Sequence, residues 1–434
     1  MKVQYTKTTL PNGLDVIVHE QHDVPIVGVS VWYHVGSKDE RRGRTGLAHL
    51  FEHLMFEGSS HQPESYFTPL QEAGAAVNGS TSADRTNYWE LVPRQAVRRA
   101  LWMEADRMGW LLPALTESRF ETQRRVVLNE RRQNYENRPY GLASFAIYAA
   151  LYPQEHPYSW STIGEPADLQ EATVDDARDF FMRFYHPGNA SLAVAGDIDT
   201  NEAIDLAREF FEEIPAGPRV PRVTPSPPQA RRQRLVLEDR VPLPRLYLAW
   251  PTPALFAPDD AELDLASDLL TGGRTSRLYR RLVHERRIAT ELWSTQASRE
   301  VGGTFQILAT AAPGHSLADL ETAIGEELSE LANGGPTSLE VERGRAQAEA
   351  AFVYRLESLG GFGGKADQLN AYNIYRNEPD YFDRDLARYL TASADGVREA
   401  IARWVDPALA VALSVVPAGN AAAALVDSEP VVVA

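Results

Sequence analysis

The feature that most constrains this chain is a proline-rich joint set between two stretches of the same design. Residues 215–234 carry prolines at 215, 218, 221, 225, 227 and 228. Proline fixes its own φ and has no N–H to donate, so this run cannot form a regular helix or a central strand. It reads as a stiff, extended linker. Before it, Val16-Ile17-Val18-His19-Glu20 is followed by Val24-Pro25 and then Val27-Gly28-Val29-Ser30-Val31-Trp32-Tyr33. After it, Leu235-Val236-Leu237-Glu238-Asp239 is followed by Leu243-Pro244 and then Leu246-Tyr247-Leu248-Ala249-Trp250. Each pair of β-rich runs leads into a helical stretch, residues 45–56 in one half and 261–270 in the other, and each half closes on a strand-like run, 191–196 and 410–415. A duplicated α+β domain of about 200 residues accounts for the repetition. The expected limits are a first domain at 1–214, the linker at 215–234 and a homologous second domain at 235–434.

With 434 residues the chain exceeds what one hydrophobic core organises, in keeping with two domains. No apolar run approaches the roughly 20 residues needed to span a bilayer. Met1 to Lys7 has no apolar signal core, so the chain as written carries no secretory address, and periplasm and cytoplasm both stay open. Lysine occurs only at 2, 7, 38 and 365, and this arginine bias, with many Ala and Pro, points to a GC-rich bacterial genome. A formal charge of −17 argues against a nucleic-acid partner. There is no cysteine, so any zinc site must be built from His and carboxylates.

Such residues meet in His49-Leu50-Phe51-Glu52-His53, an H-x-x-E-H pattern inside a proline-free stretch rich in Leu, Met, Phe and Ala. On a helix, residues four apart share a face, so His49 and His53 can offer two imidazoles to one cation, with Glu52 beside it. Catalytic zinc keeps one position for water and makes that water acidic near neutral pH, and an adjacent carboxylate can then act as general base. Two histidines on a helix are also compatible with plain solvated or core side chains. The pattern inverts H-E-x-x-H and is known from inverzincin peptidases. In the second half the corresponding region holds Asp264, Ser267 and Asp268, so only the first half can hold the metal.

Further matches run in order along nearly the whole chain: Asn12-Gly13-Leu14; Gly46 to His53 with Gly58; and Asn78-Gly79-Ser80-Thr81-Ser82 with Asp84, Thr86 and Tyr88. They continue through His156-Pro157-Tyr158 with Ile163-Gly164, Phe184 to Asn189 with Gly196-Asp197, and Gly272 to Leu278. With these the sequence resembles the pitrilysin/insulinase zinc metallopeptidases, and more narrowly the half-size bacterial members and the catalytic β subunit of mitochondrial processing peptidase. The resemblance implies mostly antiparallel sheets packed by helices, forming half of a clam-shell chamber, and a zinc-dependent endopeptidase cutting peptides or unfolded segments with Glu52 as base. It implies a third zinc ligand on a later helix, matched by Phe120 to Glu130 and assigned to Glu130. Glu121 and Glu136 compete, with a solvated helix face as the plainer reading of both. Where relatives often carry a second glutamate, this chain has Gln123, an amide that can still hydrogen-bond a ligand.

Asn78, Ser80 and Ser82 resemble the edge strand on which the family lays its substrate, although Asn78-Gly79 also fits a simple turn. Active relatives supply an Arg and a Tyr from the second half of the opposing unit, and here those positions fall on Val283 and Thr290. The resemblance therefore implies a heterodimer with a homologous half-size subunit that lacks H-x-x-E-H. The alternative is a homodimer in which Arg286 or Arg287 serves. The run Gly360-Gly361-Phe362-Gly363-Gly364 reads as a helix breaker or hinge, with a weak likeness to the family's glycine-rich substrate loop. A different functional class, a non-catalytic peptide-binding scaffold of the same fold, is the competing reading of the whole chain.

Overall fold

The computed structural model describes residues 2–228 and 230–433. Met1, Gln229 and Ala434, which fall within the expected domain and linker limits, lie outside the described residues. The first sheet comprises β1 (Thr6–Thr9), β2 (Asp15–Glu20), β3 (Ile26–Tyr33), β4 (Ala76–Thr81), β5 (Thr86–Pro93) and β6 (Ala190–Gly196), in the order β1-β2-β6-β3-β5-β4. The second comprises β7 (Gln233–Asp239), β8 (Arg245–Thr252), β9 (Ala289–Arg299), β10 (Gly302–Ala311), β11 (Val411–Pro417) and β12 (Glu429–Pro430), in the order β12-β7-β11-β8-β10-β9. Apart from the edge strands β1 and β12, the two orders are the same. β2 runs parallel to β6 as β7 does to β11, and β3 and β8 lie antiparallel on the next position. The repeated sequence plan is thus a repeated α+β topology. Among the described residues, β1 and β4 are the end strands of the first sheet, and β4, the edge expected from residues 78–82, pairs only with β5.

The central strands β3 and β6 are buried and mostly apolar because helices pack on the sheet. β3 is buried from Val27 to Tyr33 and β6 over its whole length. Alternation along β3 sorts its residues: Trp32 reaches Asp367, at the start of the Lys365–Arg376 helix, whereas Tyr33 packs against Tyr88 and Tyr185 on the other side. Residues 215–228 and 230–232 form no regular element, and β7 begins at Gln233, so the last two residues of the expected linker are strand.

The compact packing units cut across the expected limits 1–214 and 235–434. One unit contains residues 1–129, 161–223 and 351–384; the other contains 130–160, 224–350 and 385–434. In the first, the Lys365–Arg376 helix packs on β3 and β6; in the second, the Ala143–Leu151 helix packs on β8 and β11. Each half thus gives one helical segment to the unit of the other sheet. Among the described residues no helix is long and apolar enough to cross a membrane.

Candidate metal centre

The H-x-x-E-H pattern lies on the helix Leu47–Leu54. Leu47, Leu50, Phe51 and Leu54 form its buried side, with the Phe51 ring 5.5 Å from Phe181 and 4.9 Å from Tyr185. His49, Glu52 and His53 fall on the half-buried side. The helix starts at a crowded point: Gly46 has φ +88°, and a Cβ on Gly164 (φ +80°) would lie 2.4 Å from the Gly46 Cα. Only glycine fits both positions. Glu40 caps the start from outside, accepting from the N–H groups of Gly46 (3.0 Å) and Ala48 (2.7 Å), donors that have no partner within the helix.

The His49 and His53 rings are 4.9 Å apart and nearly perpendicular, at 83°. Facing them is the helix Glu117–Arg131. One ligand atom each of His49, His53 and Glu130 lie within 4.8 Å of one another, the one such cluster of potential metal ligands among the described residues. The packing units divide between Asn129 and Glu130, inside this continuous helix, so Glu130 is carried by the same helix as Gln123. The competing carboxylates are engaged elsewhere: Glu121 with Arg124 (2.5 Å) and Glu136 with Arg131 (3.0 Å).

Around the triad, Gln123 is buried, with its Oε1 3.3 Å from His53 Nδ1 and its Nε2 donating to Glu57 Oε1 at 2.7 Å. Asn134 Nδ2 donates to Glu130 Oε1 at 3.3 Å. The Thr81 hydroxyl donates to Glu52 Oε2 at 2.6 Å. β4 reaches Glu52 because Gly79 lies flat on aromatic rings: a Cβ there would stand 3.0 Å from both Phe56 and Tyr88. Sequence reasoning missed Glu57, Thr81 and Asn134. Glu57 and Asn134 stand four residues beyond His53 and Glu130, a spacing that could have flagged them.

The other expected residues fall as follows. Asn78 is exposed, and its Oδ1 accepts from the N–H of Gly79 (2.8 Å). Ser80 Oγ donates to Asn87 (2.7 Å), while Ser82 Oγ accepts from the N–H groups of Asp84 and Arg85 and so closes the hairpin. Val283 lies in the π-helical turn Tyr279–Glu285, Thr290 donates to Thr310 O within the second sheet, and Arg286 pairs with Glu326 (3.4 Å). Gly360–Gly364 separates the helices Ser338–Glu357 and Lys365–Arg376. That loop is fastened by Asp367, which accepts from Gly363 N (2.7 Å), Trp32 Nε1 (2.6 Å) and Asn87 Nδ2 (2.8 Å). At the counterpart of the histidines, Asp264 accepts from the Tyr389 hydroxyl (2.7 Å), and burial pushes its carboxyl up to about 7.

Residues 15–163 match the family model "Insulinase (Peptidase family M16)" and residues 171–348 match "Peptidase M16 inactive domain". The zinc protease PqqE of Helicobacter pylori is 30% identical over 87% of this chain and 86% of its own length. The chain belongs to the insulinase family, peptidase family M16. Within M16 it is also similar to the probable mitochondrial-processing peptidase subunit beta of Arabidopsis thaliana, at 24% identity over 81% of this chain and 67% of that protein. The crystal structure of a protease from Helicobacter pylori superposes with a TM-score of 0.88 at 26% identity, covering 96% of this chain and all of that one. The two M16 models match different parts of the chain. His49, Glu52, His53 and Glu130 lie in the insulinase match, whereas Asp264, Ser267 and Asp268 lie in the inactive-domain match.

Proposed function

We propose that this chain is a zinc-dependent endopeptidase of peptides or unfolded segments, with zinc held by His49, His53 and Glu130 and Glu52 as general base. The observation that carries this reading is the convergence of three donor atoms within 4.8 Å from two helices, with Glu52 on the same helix face as the histidines. Two imidazole nitrogens and one carboxylate oxygen are a donor set of catalytic zinc. Donor atoms this close together would allow His49, His53 and Glu130 to hold one cation between them. When bound, zinc supplies Lewis acidity and makes a water acidic near neutral pH.

Glu52 takes the proton of the attacking water, and the Thr81 hydroxyl fixes the carboxylate by holding Oε2. β4, an open edge beside Glu52, offers main-chain hydrogen bonds to an extended peptide, a mode of binding that depends little on side-chain identity. Asn78 is the side chain best placed to assist, since the Ser80 and Ser82 hydroxyls are used within the hairpin. We also propose a homologous half-size subunit without H-x-x-E-H as the working partner. In its favour are the aliphatic Val283 and the short hydroxyl of Thr290 where relatives place Arg and Tyr, and the similarity to a processing-peptidase beta subunit.

Glu52→Gln tests the role of the base. It keeps shape and leaves the three ligands in place, so zinc content stays at the parent level while cleavage of an unfolded peptide is abolished. Fully zinc-loaded parent protein that cuts no unfolded peptide, even with its partner, would favour the non-catalytic scaffold instead.

A further inference from the structure

The interactions around Gln123 extend the zinc reading, on which this inference rests, one step outward. A carboxylate accepts hydrogen bonds, a carboxamide donates from one end and accepts at the other, and a neutral imidazole donates from one nitrogen only. The Glu57 carboxylate receives the Gln123 Nε2 group at 2.7 Å. That contact orients the amide, so the atom left facing His53 is the acceptor Oε1, 3.3 Å from Nδ1. Facing an acceptor, His53 Nδ1 must carry the proton, and Nε2 is left with the lone pair that a metal requires. We infer that Glu57 is a positioning residue which, through Gln123, fixes His53 as the tautomer that ligates through Nε2.

This also explains why an amide stands at 123. A glutamate there would present a second acceptor to Glu57, setting two carboxylates 2.7 Å apart with no proton between them. The amide is the complement of Glu57, and the two residues form a matched pair. Gln123 is buried, so neither contact is readily replaced by water.

The test uses the whole chain and measures zinc affinity by competition with a chromogenic chelator, alongside thermal unfolding. Glu57→Met removes the acceptor, frees the amide to turn, and is expected to weaken zinc binding by roughly tenfold or more, as loss of outer partners of metal-bound histidines does. Gln123→Glu alone is expected to weaken it as well. The exchange Glu57→Gln with Gln123→Glu restores a donor at 57 and an acceptor facing His53, and should return affinity to within about threefold of the parent, a rescue that mere filling of space would not give. Unchanged affinity in Glu57→Met, or a Gln123→Glu single variant that binds as tightly as the exchange, would overturn the inference. Failure of the parent itself to bind zinc would instead overturn the zinc assignment.

Discussion

At the level of single residues, the site divides by what spacing alone can reveal. His49, Glu52 and His53 were legible because a helix turns a three- and four-residue spacing into a shared face. Glu130 was not legible that way: three carboxylates on or near one helix had equal claim by spacing, and family resemblance chose among them. Only the fold shows that Glu121 and Glu136 are taken up by arginines. Thr81 went unread because alternation along β4 says that residues 79 and 81 share a face, but not which face meets the helix. The buried Arg107, set between the Tyr66 and Tyr88 rings at 3.9 and 4.1 Å and paired with Glu104 and Glu90, reads in sequence like any surface charge. Thr81 carries a prediction. Hydrogen bonds to charged groups are worth about 1.5–3 kcal/mol, so Thr81→Val should lower kcat/KM roughly ten- to a hundredfold. Zinc content should stay unchanged, since Thr81 donates to Glu52, which is not among the three proposed ligands. Peptide cleavage kinetics alongside metal analysis check this, and an unaltered rate would remove Thr81 from the mechanism.

At the level of elements, period-two runs bounded by turns gave the strands, and the 3.6-residue period gave the helices that carry the site. What the sequence did not reveal is which sheet a helix covers. Ala143–Leu151 is apolar nearly all round, a pattern that states burial without naming a partner. The segment that follows it is fastened to β10 by Tyr152, whose hydroxyl donates to Gly303 O at 3.0 Å. His156 stacks on Tyr152 with centroids 4.5 Å apart, and its Nδ1 accepts from the N–H of Tyr158 (3.1 Å). Burial pushes the His156 imidazole down to about 4, and that accepting contact likewise requires the neutral ring. The unfolded chain, with an ordinary histidine near 6.5, takes up a proton that the folded chain refuses. Stability is therefore full above pH 6.5 and falls as pH drops toward 4, by about 1–2 kcal/mol at pH 5 from this residue. Urea unfolding at pH 7.5 and pH 5 should show a smaller acid loss in His156→Phe, which keeps the stack and cannot titrate. Equal losses in both proteins would contradict the assignment.

At the level of the whole molecule, the duplication was legible and the exchange of segments 130–160 and 351–384 was not, because the proline-rich joint marks where the halves meet in sequence and says nothing of where each helix packs. The sequence does state a difference between the halves: His49 and His53 in one, Asp264 and Asp268 at the counterpart positions in the other. If the proposed heterodimer holds, the chain should show little cleavage of an unfolded peptide when purified alone, and full cleavage on mixing with a homologous subunit bearing the Arg and Tyr. Full activity of the isolated chain would sink the heterodimer and return Arg286 or Arg287 to consideration. Beneath all of this lies the claim that the first half binds zinc through His49, His53 and Glu130. X-ray absorption at the zinc edge, on the zinc-loaded chain and on Glu130→Gln, tests it most directly. One zinc per chain is expected, bound by nitrogen and oxygen at about 2.0–2.2 Å with two imidazoles in the shell, and sharply reduced occupancy in the variant. A shell without two imidazoles, or a variant with unchanged zinc, would contradict it.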